Sequence, residues 1–370
     1  MLTTIGGILI IIIPNEYAAI VTSRILCGIA FGLSFLVFIV YSSEISSSKF
    51  RAINIWSLPF FFIIGNIMIS FNSTSIYIGS ITITTSVLST VFGYFLVHNS
   101  PLQFLQKSKE SEAYKSLAYF QQNTYQNPHI EIETLKAALV VENNRPLAIG
   151  KRHNTTSMLI ILLLKIGYLA FFNIMFRSIR LLFTESLFTI DSTTNVFRTT
   201  VTDTLYTVAR LVGLVIGIVF ITKLSHRSHY VISGLVSGGL IAILGIVLNI
   251  SRAVTDFNPN YIQWIIFAVF LTAELFFGFG VAMVPDIILA EILPIREKRY
   301  SIGILIVVEH IIQIFLNVLY IQNVLNQNLV FFMPIFPIFT CSAALAAYAL
   351  IKETRNKSLL EVANIYKNCF

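Results

Sequence analysis

The chain has little charge for its length. Only 12% of its 370 residues are Asp, Glu, Lys or Arg, against about a quarter in a soluble domain, and 56% are hydrophobic. With a mean hydropathy of +0.79, these figures exclude a soluble domain on a single anchor and predict a polytopic, all-α membrane bundle. Cysteine is scarce as well: Cys27, Cys341 and Cys369 have no metal-ligand spacing and imply no disulfide framework. The six histidines, among them His226, His229 and His310, are scattered. No nucleophile, phosphate loop or paired metal site accompanies them, so neither an enzyme nor a cofactor is expected. No ten-residue units alternate apolar with polar positions, which excludes a membrane barrel. The N-terminus also lacks the basic region and small-residue cleavage site of a signal peptide.

What the chain does have is long apolar runs. Spans are predicted at 2–13, 16–42, 52–71, 76–97, 157–183, 202–222, 230–250, 262–290, 301–322 and 329–351. They divide four and six around one polar stretch. The expected parts are an incomplete N-terminal transmembrane half (1–97), a helical loop between halves (98–156), a six-helix C-terminal half (157–351) and a tail (352–370). The first run of about 12 residues reaches roughly 18 Å of a 30 Å hydrocarbon core. The chain is therefore expected to begin inside a span.

A net charge of +7 would point to nucleic acid in a soluble protein, but here the cations sort by loop. Alternate loops and the tail carry Lys49 and Arg51, the basic residues of 98–156, Lys223 and Arg227, Arg296 to Arg299, and Lys352 to Lys367. The opposite loops hold Arg198 and Arg252, with Arg177 and Arg180 near a span end. The positive-inside rule then places both termini in the cytoplasm. The expected partners are a lipid bilayer, in first place the plasma membrane, and a small-molecule solute, with no nucleic acid. Asn72 and Asn249 open sequons on the outward side.

Two span ends echo each other. Glu44 is followed seven residues later by Arg51, and Glu291 seven residues later by Lys298. Parallel repeats in transporters produce such echoes. Charge-assisted bonds that form in one state and break in another would act as a latch.

These residues resemble the sugar porter branch of the major facilitator superfamily, divergent and similar to its glucose and trehalose carriers. Arg24, Gly28 and Gly32 with Tyr41 and Glu44 look like G-R-x-L-x-G-x-G followed by Y-x-x-E. Ser100, Pro101 and Leu105 look like P-E-S-P-R-W-L-L, and Lys223 to Arg227 like a worn D-R-x-G-R-R. Glu291 to Pro294 is similar to E-I-F-P, and Glu353 to Leu359 to the tail P-E-T-K-G-K-S-L. The resemblance implies a twelve-span fold here reduced to about ten, lacking the first two. It also implies transport of a sugar, hexose or trehalose-like, by alternating access. A non-transporting relative, whether sensor, partner subunit or truncated product, is the second reading.

By the same resemblance, the family's paired glutamines fall at Gly167 and Tyr168, with its following asparagine kept as Asn173. Pro285 keeps a family proline while the tryptophan becomes Asp286, and the two asparagines spaced by four become Glu309 and Gln313, with His310 between them. Titratable groups inside a membrane face a bundle interior or water. Cavity candidates are therefore Tyr168, Asn173, Asp286, Glu309, His310 and Gln313, with proton exchange between Glu309 and His310. Against this stands a purely structural pairing of Lys165, Arg177, Arg210, Glu274, Asp286 and Glu309. Gating or latch candidates are Arg24, Glu44, Arg51, Lys223, Arg227, Glu291, Lys298 and Glu353, with an internal bond expected for Arg24.

Overall fold

The computed structural model describes residues 1–48, 50–71, 74–120, 132–133, 135–137, 139–140, 147–184, 199–221, 223–253, 259–294, 297–325, 334–355, 357, 361–362 and 365. Every regular element among them is a helix. In chain order these are α1 (Leu2–Ile12), α2 (Tyr17–Ile45), α3 (Arg51–Phe71), α4 (Ser75–Leu96), α5 (Pro101–Gln106), α6 (Glu110–Phe120), α7 (Leu147–Thr184), α8 (Thr199–Ile221), α9 (His226–Ala253) and α10 (Pro259–Phe276). A π-turn (Phe277–Val281), α11 (Val284–Ile292), α12 (Lys298–Leu325) and α13 (Ile335–Leu350) follow. Among the described residues, eight helical stretches are long and apolar enough to cross a membrane, with α10 and α11 counted as one. The remaining two predicted spans appear as the shorter apolar helices α1 and α13.

The chain forms two compact units, Met1–Ser47 with Met68–Pro146, and Ser48–Ile67 with Leu147–Phe370. In the first, α1 lies against α2 and α4 because Gly6 and Gly7 expose its backbone. The Gly6 carbonyl accepts the Ser23 hydroxyl at 2.7 Å, and Thr3 and Thr4 reach Ser86 at 2.6 and 2.8 Å. Within an apolar bundle such hydroxyl bonds join helices that hydrophobic burial cannot distinguish from lipid. Gly28 and Gly32, expected to permit close helix approach, face open space.

The polar stretch after α4, expected to be helical, forms two helices here, because Ser108 adopts φ 60 and ends the first. Ser100 caps α5 by accepting the Gln103 N–H at 3.3 Å, with Pro101 in the first turn, where its missing N–H costs nothing. Ala113, Leu117 and Ile132 close a small core with Phe104, Leu105 and Tyr114 around it. Lys136 ties the second run to Glu110 at 2.9 Å.

In the second unit α7 is the hub. Tyr230 of α9 donates to the Leu164 carbonyl at 2.9 Å, Thr340 of α13 donates to the Gly167 carbonyl at 3.0 Å, and Asn154 accepts from Ser301 of α12 at 2.8 Å. The sequence places α3 in the N-terminal half, yet most of it packs here, with Trp56 Nε1–H on the Leu214 carbonyl at 3.0 Å. Gly213 and Gly217 of α8 meet Leu275 and Phe279, and Gly234 and Gly238 of α9 meet α13. These pairs spaced by four do mark close helix approach.

The Asn249 sequon is corrected. Its residue sits inside α9 and donates its amide to the Gly245 carbonyl at 2.7 Å, so it is not a free acceptor for a glycan. Asn72, Lys49, Arg198 and Arg296 lie outside the described residues.

A Cβ on Gly278 would stand 3.0 Å from the Arg210 carbonyl carbon and 3.1 Å from its Cα, both rigid helix backbone, whereas one on Gly239 would meet nothing within 4 Å. Gly278→Ala should therefore destabilise by about 1–3 kcal/mol or more through overpacking, while Gly239→Ala should not. Thermal unfolding of the detergent-solubilised protein compares them; equal midpoints would contradict the packing of α8 against the π-turn.

Candidate functional site

Helices α7, α8, α10, α11 and α12 bring five buried charges onto one aromatic face. Lys165 Nζ lies 2.6 Å from Asp286 Oδ1 and 3.3 Å from Glu309 Oε2. Arg210 grips Glu274 in a two-pronged pair, Nε to Oε2 and Nη2 to Oε1, each 2.7 Å. The Tyr168 ring stacks on Phe277 at 5.5 Å and on Phe172 at 5.7 Å. The Arg210 guanidinium lies over Phe172 and Phe277 at 5.1 and 5.2 Å, and Lys165 Nζ over Tyr168 at 5.5 Å. Both cations are thus attracted to ring faces as well as to carboxylates.

The local sequence explains this convergence. Lys165, Tyr168 and Phe172 recur at three and four residues on α7, so they form one stripe. Asp286 lies in the first turn of α11, where a carboxylate also opposes the positive end of the helix dipole. Five of the six charges expected to pair do so; the side chain of Arg177 lies outside the described residues.

The two groups differ chemically. Arg210 with Glu274 is balanced and saturated. Lys165 serves two carboxylates, and the Glu309 side chain keeps 16% of its surface exposed against 8% for Lys165 and Asp286. Glu309 is the carboxylate with the longer contact and the more open side. One and two turns further along the same face of α12 lie Gln313, half-buried, and Asn317, whose Oδ1 is buried with no hydrogen-bond partner among the described residues.

One cavity candidate, His310, needs revision. His310 does not join Glu309: it is exposed and donates Nδ1–H to the Ile306 carbonyl of its own helix at 2.7 Å. Successive residues on a helix point about 100° apart, so proximity in sequence separated them in space. Gly167 is a packing position, since a Cβ there would meet Ala343 Cβ at 2.6 Å and the Tyr230 hydroxyl at 2.7 Å. Asn173 lies on α7, and its side chain is outside the described residues. Asn317 was missed, although its spacing of four from Gln313 carried the signal.

The latch candidates divide too. Arg51 Nη1 and His226 Nε2 each lie 3.9 Å from a different oxygen of Glu291, with all three side chains at 4% exposure or less. Glu353 accepts the His226 and Arg355 backbone N–H groups at 3.5 and 2.9 Å, which places its charge at the N-terminus of α9. Arg51 of the first echo thus meets Glu291 of the second. Glu44 bonds the Ser100 hydroxyl, and Lys298 donates to the Ala290 carbonyl at 2.7 Å near the end of α11. Lys223 is exposed, and Arg227 lies over the Tyr348 ring at 3.9 Å. Arg24 is exposed and has no ion pair among the described residues, contrary to the internal bond expected of it. The contact of His226 with Glu291 was concealed in the sequence, because a lone histidine carries no spacing signal.

Removing one member of a buried ion cluster leaves uncompensated charge, at a cost of about 3–5 kcal/mol. Lys165→Met should lower the unfolding midpoint strongly, and adding Asp286→Asn should restore part of it. A Lys165→Met midpoint equal to that of the unmodified protein would contradict the pairing.

A family model described as "Sugar (and other) transporter" matches residues 1–366. No match was found among curated proteins. Among solved structures, the chain is similar to the major facilitator superfamily proton:xylose symporter XylE bound to 6-bromo-6-deoxy-D-glucose, with TM-score 0.78 and 15% identity over 99% of this chain and 81% of that one. It is similar also to the partially occluded inward-open xylose transporter XylE from E. coli, with TM-score 0.67 and 15% identity over 96% of this chain and 80% of that one. At such identity the structural likeness is one of fold. The apolar helices, the buried charges facing inward and the match along almost the whole sequence lead to one conclusion: this chain is an integral, multi-pass membrane protein of the sugar (and other) transporter family, with the major facilitator fold.

Proposed function

We propose that the protein carries a small polar solute of the sugar class across a membrane by alternating access, coupled to protons through Glu309. The observation that carries this reading is the cluster of Lys165, Asp286 and Glu309, where one lysine is shared by two carboxylates and the more open one lies on the same stripe of α12 as Gln313 and Asn317. Glu309 shares its lysine with Asp286 at the longer distance, 3.3 Å against 2.6 Å, and has the more open side chain. Tyr168 supplies a ring face, and Gln313 and Asn317 supply amides that can exchange hydrogen bonds with solute hydroxyls. XylE is a proton:xylose symporter seen with 6-bromo-6-deoxy-D-glucose bound, and pentoses and hexoses are the first solutes to try.

In this reading Arg51, His226, Glu291 and Glu353 form the latch that opens in one state of the cycle, with Lys298 holding the end of α11. Arg24, Glu44, Lys223 and Arg227 support the surrounding backbone. The cytoplasmic position of both termini and residence in the plasma membrane belong to the same proposal and rest on the distribution of Lys and Arg.

Reconstituted proteoliposomes loaded with radiolabelled sugar test it. At one proton per solute, a gradient of one pH unit sustains about tenfold accumulation. Glu309→Gln should keep counterflow exchange but lose accumulation driven by the pH gradient. Unchanged pH-driven accumulation in Glu309→Gln would remove proton coupling through this residue.

A further inference from the structure

Helix α10 does not run straight into α11. The Ala282 N–H bonds the Phe277 carbonyl five residues back at 3.0 Å, the Met283 N–H then returns to Gly280 at 3.2 Å, and Pro285 has no N–H to contribute. Such a break frees backbone groups that an apolar interior cannot leave unbonded. Two side chains of α9, four residues apart and fully buried, take them up. The Ser233 hydroxyl donates to the Phe276 carbonyl at 2.6 Å and accepts the Val281 N–H at 2.8 Å, so a single oxygen fills the opened rung. His229 donates Nε2–H to the Phe279 carbonyl at 2.7 Å, and its ring lies 4.2 Å from that of Phe279. A carbonyl can only accept, so the proton is on Nε2, and Nδ1 is the bare, unpartnered nitrogen among the described residues. Gly280 permits this approach, since a Cβ there would stand 2.7 Å from both the His229 carbonyl oxygen and Ser233 Cβ.

The break sets the direction of the charges on either side. Glu274 and Asp286 are twelve positions apart. On a continuous helix that separation would leave them about 120° apart; across the break each instead meets a cation of its own, Glu274 at Arg210 and Asp286 at Lys165. Both carboxylates then face the ring stripe of α7, Glu274 through Arg210 over Phe172 and Asp286 through Lys165 over Tyr168.

We propose that Ser233 and His229 are positioning residues that hold the π-turn open and thereby deliver Asp286 to Lys165. Their effect on solute handling rests on the reading of Lys165, Asp286 and Glu309 as the solute site; their effect on the geometry does not.

Two readouts on the full-length protein in lipid separate these statements. Reaction of Asp286 with a hydrophobic carbodiimide, quantified by peptide mass spectrometry, reports whether the carboxylate is paired, since an unpaired carboxyl in an apolar site is protonated and reactive. Counterflow kinetics report the KM for sugar. Ser233→Ala and His229→Leu should raise Asp286 labelling severalfold and raise KM about tenfold, the factor for ~1.4 kcal/mol. Ser233→Thr and His229→Gln, which keep a hydroxyl and a donor near the Nε2 position, should remain close to the unmodified protein in both readouts. The His229→Leu and His229→Gln pair decides the question should Ser233→Ala not fold. Increased labelling with unchanged KM would uphold the positioning role and overturn the solute-site reading. Asp286 labelling unchanged in both Ser233→Ala and His229→Leu would overturn the positioning role.

Discussion

A charge inside an apolar bundle must find a partner, and most of the second unit follows from how five such charges find theirs. Arg210 and Lys165 reach carboxylates on other helices while sharing the ring faces of Tyr168, Phe172 and Phe277. Lipid and protein interior are almost equally apolar, so burying leucine does little to choose one helix arrangement over another. Ion pairs and directed hydrogen bonds do choose. Five helices are fixed relative to one another because breaking any one of these contacts would strand a charge.

The same constraint divides function from structure within the cluster. The bidentate Arg210–Glu274 pair has both oxygens occupied and little left to exchange. In the other group one lysine is shared by two carboxylates, and Glu309 has the longer contact and the more open side chain. At the latch, Glu291 stands 3.9 Å from both Arg51 and His226. Contacts of that length in a buried setting can tighten or part with small helix movements, as an alternating-access cycle requires.

The helices were legible in the sequence because apolar runs are long and their ends carry charge or turn residues, and the predicted boundaries of α2, α4 and α9 lie within a few residues of those found. One error came from reading neighbours in sequence as neighbours in space: His310 follows Glu309 but points elsewhere. The true pairs join positions more than sixty residues apart, as Arg210 with Glu274 and Lys165 with Asp286 do, and no local period encodes such a match. The π-turn left a faint trace in Gly278, Gly280 and Pro285, but its supports, Ser233 and His229, lie on another helix. Gly167 shows the converse: a position expected in the site by resemblance serves instead for the packing of α9 and α13.

The most direct test of the account is a double-mutant cycle on Arg210 and Glu274, measured as unfolding midpoint in lipid nanodiscs. If the buried pair holds α8 to α10, Arg210→Met and Glu274→Leu should each destabilise by about 3–5 kcal/mol while the double variant recovers most of the loss, because two apolar side chains leave no stranded charge. Additive losses, with the double variant worse than either single, would show that the two residues contribute independently and that the ion pair is not what orders these helices.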